Sequence, residues 1–465
     1  NDLFLFNTND VAAGEYITEN ASEGTDVIVI VTSTDFANMT VTSFDEIEEI
    51  RFAGANQTGT FTGAQLTGET LLLTETAAGT SNLIINVGSG TTASFLNLTA
   101  STFTNGSDTI TINGTTGNET ITAPNLATTI NAGDGNDTID GGDGADTLTG
   151  GNGNDIYIFN TNDVDAGETI SDSGGSADVV EIATTTDFIN MPNASLDNIE
   201  QIRFSGANQT ATFTGAQLTG ETLSLTETAA GTSNIIINVA SGTTVTFENT
   251  TAGSGFTNGS DTITINGTTG NETITAPNLA TTINAGDGND TIDAGDGADT
   301  IVGGNGNDVY IFDTNDVDAG ETISDSGGSA DVVAIATSVD FANLPEANLD
   351  NIEQIRFAGA NQTGTFTGAQ LTGETLLLTE TASGTSNLII NVGSGTTTTF
   401  TNITASTFTS GSDTLRINGA AGNESITSPP TLATTIDGGD GADTLVGGNG
   451  NDVYIFDTND VDAGE

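Results

Sequence analysis

Apolar residues occur along the chain in short stretches separated by polar ones. TDVIVIV at 25–31, ETLLLTET at 69–76 and NLIINV at 82–87 are each bounded by clusters of Gly, Asn, Ser and Thr. Brief β-branched runs between turn-forming residues are strand-and-turn signals, and no long stretch carries the helical period. In IYIF at 156–159 and VYIF at 309–312 the alternation puts Tyr157 with Phe159, and Tyr310 with Phe312, on one face, as plugs of a core. LDNIEQI at 196–202 forms one helical turn or feeds a strand through Ile202 and Phe204. The pattern predicts an all-β chain.

Self-similarity refines this. NDLFLFNTNDVAAGE at 1 returns as NDIYIFNTNDVDAGE at 154 and as NDVYIFDTNDVDAGE at 307 and 451. The block beginning RFAGANQT at 51 recurs with little change at 203 and 356. Tandem repetition on this scale is the mark of an array whose units bury their apolar faces against neighbours. The expected modules are 1–157, 158–310 and 311–454, with a further one opening at 455–465. Each divides into a larger β-rich section (1–112, 158–265, 311–417), solenoidal or sandwich-like, and a roll (113–157, 266–310, 418–454). Both ends fall inside a module, which reads as part of a longer array, and no basic or apolar leader opens the sequence.

The rolls have a finer period. From 113 the chain reads NGTTGNETI, TAPNLATTI, NAGDGNDTI, DGGDGADTL, TGGNGNDIY, and the third module has lost one such nonapeptide with its flanks intact. Nine residues therefore make one structural step. Loop Ala132–Asp137 turns at Gly133 and Gly135, whose missing side chains permit backbone angles that other residues resist. Thr138–Asp140 then forms a short strand with Ile139 inward. Two nonapeptides make one coil, coils stack about 4.8 Å apart, and Asp137 comes close to Asp155.

Composition decides what such loops can do. The chain has 63 Asp and Glu against 4 Lys and Arg, a formal charge of −59, and no His, Cys or Trp. Disulfides, thiolate or imidazole metal sites, and His-dependent catalytic units are excluded. So anionic a surface repels nucleic acid and acidic lipid, and no run is long enough to span a bilayer. Clustered carboxylates and turned-in carbonyls suit a hard cation taking about 6–8 oxygens at about 2.3–2.6 Å, chiefly Ca2+. A flexible acidic linker would need neither the fixed spacing nor an apolar residue after each Asp.

The units AGDGNDTID at 132–140, GGDGADTLT at 141–149 and GGNGNDIYI at 150–158 fit the pattern GGxGxDxUx, as do three from 285 to 311 and two from 438 to 455. This resembles the parallel β-roll of the RTX (repeat-in-toxin, haemolysin-type) calcium-binding family, over about a quarter of the chain. The resemblance implies Asp137, Asp146, Asp155, Asp290, Asp299, Asp308, Asp443 and Asp452 as the main calcium ligands. The third loop position is filled by Asp134, Asp143, Asn152, Asp287, Asp296, Asn305, Asp440 and Asn449. The glycine carbonyls belong to Gly133, Gly135, Gly142, Gly144, Gly151, Gly153, Gly286, Gly288, Gly295, Gly297, Gly304, Gly306, Gly439, Gly441, Gly448 and Gly450. Upstream, Glu119 stands one coil before Asp137 and TAPNLATTI has no acid, so those coils are expected to stack without a full site.

Arg51, Arg203 and Arg356 recur once per module. A basic residue can serve as a base in calcium-dependent polysaccharide lyases on β-helices, but an Arg paired with neighbouring acids and stacked on Phe fits a triplicated site without His or Lys better. The sequence therefore reads as a non-enzymatic, extracellular structural protein that binds calcium and associates with copies of itself as a filament or surface layer. The nearest alternative is the extension shaft of an RTX adhesin, and a cell-surface polysaccharide is a further partner. The resemblance implies export through a type I channel, with folding after exit.

Overall fold

In the computed structural model the protein is described over residues 1–17, 24–103, 107–257, 260–408 and 412–456; the further module expected to open at 455–465 lies outside these from residue 457 onward. The chain divides into two compact units, Asn1–Asn234 with Ala252–Thr257, and Ile235–Thr251 with Asn258–Glu465.

In the first unit successive strands alternate between facing parallel sheets. One runs Thr34–Asp35, Thr58–Thr62, Asn82–Asn86, Thr109–Thr115, Thr128–Asp134, Thr147–Asn152, Thr169–Ser171. Another runs Thr92–Ser94, Thr120–Thr122, Thr138–Asp140, Ile156–Phe159, Val179–Ile182, Gln201–Phe204 and Ser224–Glu227. A third carries Leu3–Phe6, Val27–Ile30, Glu49–Phe52, Leu71–Glu75 and Leu98–Ala100. A chain that visits two sheets in turn, always in the same direction, is a coil, so the segments between the nonapeptide blocks are solenoidal as well.

Register keeps like on like. Ile121, Ile139, Tyr157, Val180, Ile202 and Leu225 lie opposite one another from strand to strand, all fully or almost fully buried. Ile112, Ile130, Leu148 and Ile170 do the same on the facing sheet. Burying such a side chain contributes about 1.5–3 kcal/mol, so the core is the sum of many near-identical layers. Tyr157 and Phe159 are in it, as their alternation predicted. Asn193–Leu196 is a 3-10 turn and Gln201–Phe204 a strand, so the LDNIEQI stretch follows a turn and ends in a strand.

Beyond the nonapeptides the coils widen and take larger plugs. Phe36 stacks on Phe61 and Phe188 on Phe213, ring centroids 4.6 and 4.8 Å apart, which is the spacing of adjacent coils. The single helical turn Gly63–Leu66 is held by a capping box between Thr62 and Gln65. The Gln65 amide also donates to the carbonyls of Phe36 and Met39 at 2.8 and 3.1 Å, pinning the wide coil.

The second unit repeats these devices. Thr244–Thr246, Thr273–Thr275, Thr291–Asp293, Val309–Phe312, Val332–Ile335, Gln354–Phe357, Leu376–Glu380 and Ile403–Ala405 form one parallel sheet. Thr262–Thr268, Thr281–Asp287, Thr300–Asn305 and Thr322–Ser324 are consecutive members of another. Ile274, Ile292, Tyr310, Val333 and Ile355 make its buried column, and Phe341 stacks on Phe366 at 4.4 Å. Among the described residues no helix is long and apolar enough to cross a membrane.

Candidate metal centre

In the first two blocks each nonapeptide loop ends in an aspartate, and the second residue after it, such as Ile139 or Tyr157, is a buried strand residue, which fixes the carboxylate at the seam between coils. Gly151 and Gly153 show why the turn demands glycine. Their φ angles are 110° and 133°, and a Cβ on either would come within 1.9 and 1.7 Å of the carbonyl oxygens of Gly133 and Gly135 in the coil beneath. Neither the angle nor the approach tolerates a side chain.

The sixth-position aspartates form ladders. Glu119 N–H donates to Asp137 Oδ1 at 2.6 Å, Asp137 N–H to Asp155 Oδ1 at 2.7 Å, Asp155 N–H to Asp178 Oδ1 at 2.7 Å, and Asp178 N–H to Glu200 Oε2 at 2.8 Å. At the other turn of the coil, Thr128 N–H donates to Asp146 Oδ1 at 2.6 Å and Asp146 N–H to Glu168 Oε2 at 2.8 Å. The second unit has the same pair of ladders. Glu272, Asp290, Asp308 and Asp331 donate in turn to Asp290, Asp308, Asp331 and Glu353 at 2.7, 2.8, 2.7 and 2.9 Å. Thr281 N–H donates to Asp299 at 2.6 Å and Asp299 N–H to Glu321 at 2.9 Å. In the last block Glu424 and Thr434 N–H groups donate to Asp443 and Asp452 at 2.7 and 3.0 Å.

Each of these bonds uses one carboxylate oxygen. The second oxygens of Asp137, Asp146, Asp155, Asp178, Asp290, Asp299, Asp308 and Asp331, and Oε1 of Glu168, are buried without a hydrogen-bond partner among the described residues. A buried carboxylate with half its acceptor capacity unmet is costly unless a positive charge completes it. Three of the four arginines are engaged elsewhere. Arg51 pairs with Glu49 at 2.8 Å, Arg203 with Glu181, and Arg416 with Asp437 at 3.0 Å. Arg356 has no ion-pair partner among the described residues, because Ala334 stands opposite it where Glu181 stands opposite Arg203. The donor set is oxygen only, anionic and buried, and it fits a hard divalent cation.

Burial also sets the titration of these groups. Burial pushes Asp137 up to about 6, Asp155 and Asp308 to about 7, and Asp146 and Asp299 to about 8, against the pull of the backbone N–H bonds. Neighbouring acids add to the rise. Burial likewise raises Asp290, Asp178 and Asp331 to about 6 in the last two cases, and Glu168 and Glu321 to about 9.

The expected residues separate into two sets. Asp137, Asp146, Asp155, Asp290, Asp299 and Asp308 lie buried on the ladders, while Asp443 and Asp452 reach the same place half-buried. The third-position side chains face outward. Asp134, Asp143, Asn152, Asp287, Asn305, Asp440 and Asn449 are exposed and Asp296 partly so, with Asn152 and Asn305 donating across the coil to Asp134 and Asp287 at 2.7 Å. Glu119 occupies a ladder position, its carboxylate receiving the N–H groups of Gly90 and Thr115 at 2.7 and 2.9 Å.

The acids not anticipated are Glu168, Asp172, Asp178 and Glu200 with their counterparts Glu321, Asp325, Asp331 and Glu353. Carboxylate oxygens of Asp155, Asp172 and Asp178 lie within 4.8 Å of one another, as do those of Asp308, Asp325 and Asp331, and those of the more exposed group Asp296, Asp313 and Asp316. The signal for Asp172, Asp178, Asp325 and Asp331 was the identical SDSGGSAD at 171–178 and 324–331. It was hidden because the coil there spans 23 residues between ladder rungs instead of 18.

A family model described as RTX calcium-binding nonapeptide repeat (4 copies) matches residues 126–157, 279–310 and 433–458, about a fifth of the chain. No curated protein and no solved structure matches.

Proposed function

Because three blocks of this chain are RTX calcium-binding nonapeptide repeats, we propose that the protein works outside the cell as a calcium-stiffened structural array that associates with copies of itself into a filament or layer. Within the repeats the proposed ligands are the eight sixth-position aspartates, with glycine carbonyls completing the shell. The observation that carries this reading is the row of buried carboxylate oxygens that have no hydrogen-bond partner among the described residues.

The physical sequence is short. At neutral pH the ladders must hold acids side by side either as like charges or as protonated groups, in a chain of formal charge −59, so the ion-free chain is biased toward unfolding. A cation bound only by the folded state stabilises it by RT ln(1 + [L]/Kd). At 100 times Kd this is about 2.7 kcal/mol per site. Calcium-poor surroundings would leave the chain open for export, and calcium-rich ones would fold it. The proposed modules 1–157, 158–310 and 311–454 repeat closely similar sequence, and like modules of different chains are the proposed pairing partners. Pairing of Arg51 with Glu49 and of Arg203 with Glu181 supports a structural rather than a catalytic role for the recurrent arginines.

Electron microscopy of the purified chain with calcium and with chelator tests assembly. Ordered polymers that need calcium are expected. Dispersed particles at every calcium concentration would overturn self-assembly and favour the adhesin-extension reading.

A further inference from the structure

The segment SDSGGSAD occurs twice, at 171–178 and 324–331, and in both places it follows a stretch matched by the nonapeptide model without being part of it. It nevertheless folds as the next loop of the stack. Gly174 bridges to Asn152 and Gly327 to Asn305, and Gly153 and Gly306 N–H groups donate to the Gly174 and Gly327 carbonyls at 2.6 Å. The final aspartate of each segment takes the ladder position, so the loop sits where a further nonapeptide would.

Besides its ladder aspartate it brings a second buried acid, Asp172 or Asp325, to the seam. Asp155, Asp172 and Asp178 are 0, 8 and 1% exposed, and Asp308, Asp325 and Asp331 are 0, 8 and 0% exposed. Within each triad the ligand oxygens lie within 4.8 Å of one another. Two oxygens bound to one ion at about 2.3–2.6 Å can be no more than about 4.6–5.2 Å apart, and every pair within each triad meets that limit. Oδ2 of Asp155, Asp178, Asp308 and Asp331 has no hydrogen-bond partner among the described residues.

The third acid is held in place from behind. Tyr157 Oη donates to Asp172 Oδ2 at 2.6 Å and itself receives the Gly150 N–H at 2.9 Å, while Gly174 N–H donates to Asp172 Oδ1 at 3.1 Å. Tyr310 Oη and Gly327 N–H hold Asp325 in the same way at 2.5 and 3.1 Å. Each Asp172 or Asp325 oxygen still has lone-pair capacity for a metal. A neutral ligand is close by. A Cβ on Gly175 would fall 2.2 Å from both Asp178 Oδ2 and the Gly153 carbonyl, and one on Gly328 would fall 2.2 Å from Asp331 Oδ2 and 2.1 Å from the Gly306 carbonyl. Only glycine leaves that space open.

We infer that Asp155, Asp172 and Asp178, and again Asp308, Asp325 and Asp331, each form a three-carboxylate calcium site that closes a roll, with two of the three ligands supplied by a segment outside the nonapeptide repeats. Tyr157 and Tyr310 position the third carboxylate. The inference rests on reading the ladders as calcium sites, and it adds one ion per copy to those between nonapeptide loops.

Equilibrium dialysis against calcium, followed by metal analysis of the full chain, tests it. Asp172→Asn with Asp325→Asn keeps the shape and the acceptor for the tyrosine hydroxyl while removing charge. This variant should lose one calcium per altered copy relative to the parent chain, with its circular dichroism at saturating calcium retained. An unchanged calcium count in a variant with the parental spectrum overturns the closing sites and leaves the nonapeptide sites standing. A parent chain that takes up no calcium overturns the broader reading instead. Should the variant fail to fold, terbium bound to the parent chain decides the point. With no tryptophan in the sequence, terbium luminescence must be sensitised by tyrosine, and calcium should displace the ion and quench the signal. Absence of tyrosine-sensitised emission overturns the proposal.

Discussion

A single ladder aspartate carries two opposed demands. Asp146 is fully buried, with one oxygen on Thr128 N–H and the other unpartnered. Asp146→Asn keeps an acceptor for the N–H but discards the charge. Without calcium the variant should be more stable than the parent, and with calcium less stable, each by about 1–3 kcal/mol; paired thermal melts check the crossing. The pH dependence follows the same logic. Burial raises Asp155 and Asp308 to about 7 and Asp146 and Asp299 to about 8 in the ion-free fold. An acid raised in the fold contributes stability that is present below its unfolded pKa and lost as pH climbs through the folded one, about 1.4 kcal/mol per unit. Calcium-free protein should therefore melt at higher temperature near pH 5 than near pH 8, and the gain from calcium should shrink over the same interval as protons replace it. A calcium-free melting point that rises with pH across this range would contradict the assignment.

At the scale of the coil, glycine and the aliphatic column set the tolerance to change. Gly153→Ala forces a Cβ to within 1.7 Å of Gly135 O at φ 133°, whereas Gly68→Ala, at φ 81°, meets nothing within 4 Å. The second change costs about 1–2 kcal/mol, the ordinary penalty of a left-handed residue; the first should cost distinctly more, and denaturant titration ranks them. Ile139→Ala empties a position that is 0% exposed between Ile121 and Tyr157 and should cost about 2–5 kcal/mol. The 18-residue coil was legible because Gly, Asp and an inward aliphatic recur at fixed offsets, as from Asp137 to Asp155. The wider coils were not, since the steps from Asp146 to Glu168 and from Asp155 to Asp178 are 22 and 23 residues. Their strands are held by register and by plugs such as Phe188 on Phe213, neither of which imposes a period on the sequence. For the same reason Asp178 and Glu168, though ladder members, escaped a reading tuned to nines, and spacing alone does not show that the third-position side chains are exposed or partly so while the sixth-position carboxylates face the seam.

Across the whole molecule the balance is between many thin apolar layers and one sign of charge. The aliphatic columns do not change with the ionic medium, but repulsion among 63 acids opposed by 4 basic residues does. Salt screens exposed charges beyond a Debye length of about 8 Å at 0.15 M, so monovalent salt should recover part of the ion-free stability, and less than calcium does, because the ladder oxygens are buried.

Far-UV circular dichroism during calcium titration of chelated full-length chain at neutral pH reaches the central claim most directly. The β spectrum should fall on chelation and return cooperatively as calcium is restored, with bound ions counted in parallel. A chelated protein that keeps both its spectrum and its melting temperature would contradict the account, since the unpartnered carboxylates would then need no ion to hold the coils together.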